Sequence, residues 1–69
     1  MKGFIEVKYS VNVEDEKVYD GIISVDSILG LFHIDDKEDA CSITFKDNTT
    51  MVVKETYDDI KNKIELALV

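Results

Sequence analysis

The sequence predicts a mainly β fold: a small curled antiparallel sheet, or open barrel, of about five strands with one C-terminal helix. Three observations carry that expectation. Apolar and polar residues alternate with period two in several short segments, the period of a half-buried strand. The connections between these segments are short, which favours antiparallel neighbours. The period then changes near residue 57 to spacings of three and four, as on one face of a helix.

The first strand is expected over about residues 3–10, where Ile5, Val7 and Tyr9 point one way and Glu6 and Lys8 the other. Glu14-Asp15-Glu16-Lys17 follows as the tip of a hairpin-like loop. A second strand is expected over 18–25, with Tyr19, Gly21, Ile23 and Val25 on one face. Gly21 is expected to mark a bulge or bend. Asp26-Ser27 punctuates the chain, since both side chains bond local backbone groups in turns. The third strand is expected over 29–34, with Leu29, Leu31 and His33 opposite Gly30, Phe32 and Ile34.

The polar run Asp35-Asp36-Lys37-Glu38-Asp39 reads as a connection, and Cys41, Ile43 and Phe45 as the inward face of a fourth strand over 41–46. Asp47-Asn48 supplies a turn in which Asn48 can take the left-handed conformation. A fifth strand over 49–54 places Met51 and Val53 on one face. In the helix, expected over 57–68, Tyr57, Ile60, Ile64, Ala67 and Leu68 share a stripe. Thr56 is a suitable N-cap, Asp59 stands where a capping box has Glu, and Asp59 can pair with Lys63 one turn on.

With 69 residues the chain is a single small domain, residues 1–69. A chain of this size buries only about 60% of the surface its unfolded form exposes. The core is thin, and a partner subunit is one way to supplement it. Acidic residues number 15 against 8 basic, for a net charge of −7, and there is no arginine. Nucleic-acid binding needs cations to replace the counterions of phosphate, so a nucleic-acid binder is excluded. No stretch has the length or apolarity of a membrane span, and the opening residues do not resemble a signal peptide. The expected location is the cytoplasm.

No catalytic or cofactor constellation stands out, so neither an enzyme nor a cofactor is expected. Cys41 is the only cysteine and His33 the only histidine. The thiol reads as a small apolar core residue, because a nucleophile would want a nearby His or cation. Ser27, His33 and Asp26 can be assembled on paper, but no Gly-flanked serine elbow supports them. One Cys and one His do not close a zinc site. The run from Asp35 to Asp39 lacks the alternate-oxygen spacing and central Gly of a calcium loop.

One pattern does bear on function. Ile22 and Ile23 are adjacent and must face opposite ways, as must Leu31 and Phe32. A sheet with one solvated face alternates more cleanly. Either the sheet curls to cover both faces, or the second face meets another molecule, with Ile22, Phe32 and Ile34 as the candidate contact residues. The first reading is a non-enzymatic protein–protein interaction module whose partner could be a second copy, forming a homodimer. The alternative is an acidic decoy that occupies a basic nucleic-acid-binding surface of a partner protein.

The segments Ile23-Ser24-Val25-Asp26-Ser27-Ile28, Ile43-Thr44-Phe45-Lys46-Asp47-Asn48 and Met51-Val52-Val53-Lys54-Glu55-Thr56-Tyr57-Asp58-Asp59-Ile60 resemble the small flagellar and swarming-motility protein family FlbD. They are also similar to small bacterial β proteins with no motility link. The resemblance spans roughly the last two thirds of the chain. It implies a bacterial, motility-associated β protein, and it brings no catalytic residues. The longer acidic loop after the first strand and the acidic run around Asp36 depart from the family pattern.

Overall fold

The computed structural model describes residues 3–69. The order is β1 (Phe4–Ser10), β2 (Tyr19–Ser24), a 3-10 turn (Val25–Ser27), β3 (Ile28–Ile34), β4 (Lys37–Phe45), β5 (Thr50–Val53) and α1 (Tyr57–Leu68). The five strands form one open antiparallel sheet in the spatial order β2-β1-β5-β4-β3.

Short connections lead one to expect consecutive strands to be neighbours, and β2 with β3 breaks that expectation. They are separated by three residues yet occupy the two edges of the sheet. In a flat sheet the outer strands would lie about 19 Å apart, four spacings of about 4.8 Å. The step from Ser24 to Ile28 spans at most about 14 Å fully extended, and less through a 3-10 turn. The sheet must therefore curl. Two backbone bonds pin the curl at the turn: the Val25 N–H donates to the Gly3 carbonyl at 2.9 Å, and the Lys46 N–H to the Ser27 carbonyl at 2.9 Å.

The inner face of the curl holds the core. Ile5, Val7, Val25, Cys41, Ile43, Val53, Ile60 and Ala67 are buried together, and Ile23, Ile28, Leu31, Phe45, Met51, Tyr57 and Ile64 pack around them. These are the inward residues that period two selects on β1, β2, β4 and β5. On β3 the simple period fails. Ile28 pairs with Phe45 but Gly30 with Thr44, so Leu29 is an extra residue at a bulge. Ile28, Leu31 and His33 thus share the inner face, while Leu29 is 62% exposed rather than aligned with Leu31.

β4 begins at Lys37, four residues before the expected start, and the connection shrinks to Asp35-Asp36. Asp36 takes φ 63° there, and Asn48 takes φ 71° in the β4–β5 turn. Between the pairs His33–Cys41 and Ile34–Lys37 the register jumps, so Glu38, Asp39 and Ala40 form an irregular stretch of β4. Charged residues of low strand propensity hid this segment from a reading based on periodicity.

The helix rests on β1, β3, β4 and the 3-10 turn. Thr56 caps it, its hydroxyl oxygen accepting from the Asp59 N–H at 3.1 Å. Ile60 and Ala67 are buried and Tyr57 and Ile64 half-buried, but Leu68 is 62% exposed. At 100° per residue Leu68 points about 80° away from Ile60, at the margin of the stripe, and Ala67 is the residue that meets the start of β1. The Gly3 N–H donates to the Ala67 carbonyl at 3.0 Å and ties the last turn to the sheet. No helix among the described residues is long and apolar enough to cross a membrane.

Candidate functional site

The side chains with conventional chemistry are engaged in structure. Cys41 and His33 are directly opposite on β4 and β3, so the only cysteine and the only histidine are neighbours. They do not form a nucleophilic pair. Cys41 is fully buried, and desolvation, with the Glu55 carboxylate adding to it, pushes its thiol up to about 11. That is the reverse of the lowered value a thiolate nucleophile needs. His33 stacks on Tyr57, with ring centroids 3.9 Å apart and planes 17° from parallel.

Ser27 is equally occupied. Its hydroxyl donates to the Ser24 carbonyl at 2.7 Å and closes the 3-10 turn. His33 lies six residues along an extended strand, about 20 Å away at 3.3 Å per residue, so Ser27, His33 and Asp26 form no triad. Asp47 holds the β4–β5 turn, its carboxylate accepting from the Thr49 hydroxyl at 2.6 Å and the Thr49 N–H at 3.0 Å. Those bonds, the hydroxyl's first, hold the Asp47 carboxyl below its ordinary range. Among the described residues no group of three or more His, Cys, Asp or Glu side chains could hold a metal ion.

The residues singled out for contact divide between the two edges. Ile22 lies on β2, while Phe32 and Ile34 lie on β3. The strand order does not bring Ile22 beside the other two. Ile22 is 58% exposed and Phe32 53%, whereas Ile34 is half-buried beyond the register jump. Phe32 folds back over Gly30, where an added Cβ would come within 2.7 Å of the ring.

Ile22 has a neighbour that periodicity offered but that sequence reasoning missed. Phe4 pairs with Ser24 and Glu6 with Ile22, so Phe4 and Ile22 are diagonal neighbours on the outer face. Such neighbours stand about 7–8 Å apart, within reach of an aromatic side chain. Phe4 is 44% exposed. The signal was its parity: Phe4 falls in step with Glu6 and Lys8, the outward residues of β1. Beside it, Phe4, Glu6, Lys63 and Leu66 line a shallow cavity of about 350 Å³.

One ion pair lies on this outer face, beside the carboxylate of Glu6. Lys8 and Asp20 are opposite each other on β1 and β2 and form an ion pair at 2.9 Å. The Asp20 carboxylate, through that hydrogen bond and its charge, holds the Lys8 ammonium above its ordinary value. No family model, no curated protein and no solved structure matches the chain.

Proposed function

We propose that this protein is a non-enzymatic protein–protein interaction module, bacterial and motility-associated by its resemblance to the FlbD family. One observation carries the reading. Phe4 and Ile22 stand exposed as diagonal neighbours on the outer face, while the thiol, the imidazole and the Ser27 hydroxyl are committed to burial, stacking and turn closure. Exposed apolar side chains that cluster on a small acidic domain are more useful as a contact surface than as a tolerated defect.

The test is affinity capture from the native host with the full chain as bait, beside Ile22→Lys and Phe4→Lys variants. The reading expects a partner that the parent retains and at least one variant loses. Equal capture by all three baits would overturn it. The acidic decoy remains the second reading because Asp35, Asp36, Glu38 and Asp39 are all exposed around the β3–β4 hairpin. It expects instead a basic partner lost in Asp35→Asn/Asp36→Asn and released by moderate salt.

A further inference from the structure

The two edges of the sheet are protected very differently. β3 carries two register shifts, one at Leu29 and one after His33. Such irregularities twist an edge away from further pairing. β2 has none, and the bulge expected at Gly21 does not form: its six residues pair with β1 without interruption from Tyr19–Tyr9 to Ser24–Phe4. It carries no lysine and no proline, and its one charge, Asp20, is bound to Lys8 at 2.9 Å. Among the described residues only β1 makes backbone hydrogen bonds to β2 between Tyr19 and Ser24, and the one side-chain bond to its backbone is the Ser27 hydroxyl on the Ser24 carbonyl. The helix rests chiefly on β1, β3, β4 and the 3-10 turn rather than on β2.

We propose that β2 is the interface at which two copies of this chain join, strand against antiparallel strand about a two-fold axis at Ile22. The proposal rests on the interaction-module reading and names the partner of that surface as a second copy.

The register follows from faces and charges. A two-fold axis perpendicular to the sheet brings outer-face residues opposite outer-face residues, so Asp20, Ile22 and Ser24 must be matched among themselves. An axis at Asp20 would set the two Asp20 carboxylates directly opposite, which is destabilising. An axis at Gly21 would set Ile22 against Asp20 of the second copy. With the axis at Ile23, Ile22 would meet Ser24, and Asp20 would approach Asp26. The axis at Ile22 alone sets Ile22 against Ile22 and Asp20 against Ser24.

That arrangement also suits the surroundings. Phe4 of each copy lies diagonal to its own Ile22, so the two isoleucines meet between two aromatic rings. The two Asp20 residues stand four positions apart along the strands, about 13 Å. That exceeds the screening length of about 8 Å at physiological ionic strength. On the inner face Gly21 would oppose Ile23, a small residue against a large one. The net charge of −7 per copy opposes association, but it is concentrated on acidic runs outside β2, at 14–16 and 35–39.

The test is sedimentation of the full chain at tens of micromolar in physiological salt. The parent should contain dimer. Ile22→Lys should raise the dimer dissociation constant at least about tenfold, the equivalent of one apolar contact. Its far-UV circular dichroism and melting temperature at low concentration should not change, because the introduced ammonium can pair with Glu6 across the strand. Leu29→Lys, equally exposed on the other edge, should leave the dimer intact.

Ile22→Cys should form an intermolecular disulfide under mild oxidation, since the axis sets position 22 against itself at bridging distance, while buried Cys41 stays unreactive. Leu29→Cys should form none. A parent that is monomeric throughout overturns the proposal and leaves capture of a different partner to judge the broader reading. A dimer that survives Ile22→Lys, or that Leu29→Lys abolishes, also overturns it.

Discussion

Glu55 and Lys63 complete the edge of β1 where β5 leaves it. The Glu55 carboxylate accepts from the Lys63 ammonium at 2.7 Å and, through its other oxygen, from the Lys8 backbone N–H at 3.0 Å. The same ammonium donates to the Glu6 carbonyl at 2.8 Å. β5 ends at Val53, and the Lys54 N–H makes the last backbone bond to the Lys8 carbonyl at 2.7 Å. Beyond that point two side chains satisfy groups that a longer strand would otherwise take. The expected pairing of Lys63 with Asp59 does not form, because Lys63 faces β1 instead.

The pair is a good test of the docking of the helix. The Glu55 side chain is only 17% exposed, and Glu55→Ala removes its bonds to the Lys63 ammonium and the exposed Lys8 N–H, which should cost about 0.5–1.5 kcal/mol. Glu55→Gln keeps an acceptor for Lys8 and should cost less. Urea denaturation of both variants checks the order; a larger loss in Glu55→Gln would contradict it.

Cys41 gives the fold a pH dependence of definite sign. The unfolded thiol ionises from about 9, while burial keeps the folded thiol protonated up to about 11. The folded state then holds the proton that the unfolded state gives up. The contribution is fully present below pH 9 and is lost as pH rises towards 11. Relative to Cys41→Val, the parent should lose about 2–3 kcal/mol across that window. Denaturation of the two proteins between pH 8 and pH 11 measures the difference, and parallel curves would refute the account.

Gly30 and Phe32 should behave as a coupled pair. An Ala at position 30 would press its Cβ on the Phe32 ring at 2.7 Å. Because the ring is exposed it can swing aside, so Gly30→Ala should cost only about 1 kcal/mol. In a Phe32→Ala background that cost should vanish or change sign. Additive effects in the double-mutant cycle would show that the ring does not limit the position.

Within the helix, position and burial should separate two leucine-sized residues. Ile60 is fully buried, and Ile60→Ala should cost about 2–5 kcal/mol. Leu68→Ala, at an exposed site, should lie within about 0.5 kcal/mol of the parent. Thr56→Ala should cost about 1 kcal/mol through loss of the cap, and Thr56→Ser should restore it. Thermal unfolding of the four variants ranks them directly.

What the sequence determined by itself was local. The three-and-four spacing after Thr56 specified the helix from Tyr57 to Leu68, because a capping hydroxyl and an apolar stripe act within a few turns. Period two specified the inward residues Ile5, Val7, Cys41, Ile43 and Val53, because alternation is a property of the extended backbone. The same rule set Ile22 opposite in face to Ile23 and Leu31 to Phe32, but only the structure placed Ile22 and Phe32 outside; the parity of Phe4 with Glu6 and Lys8 was equally legible.

The tertiary structure decided whatever depends on partners distant in sequence. It set β2 and β3 at opposite edges, because curling lets β5 insert beside β1 and the 3-10 turn bridge the ends. It exposed Leu29, because β3 needs one more residue than β4 between Ile28 and Gly30. It drew Lys63 from Asp59 to Glu55 and Glu6, because a β1 edge left unpaired by β5 needs a donor and an acceptor more than an exposed helical carboxylate needs a partner.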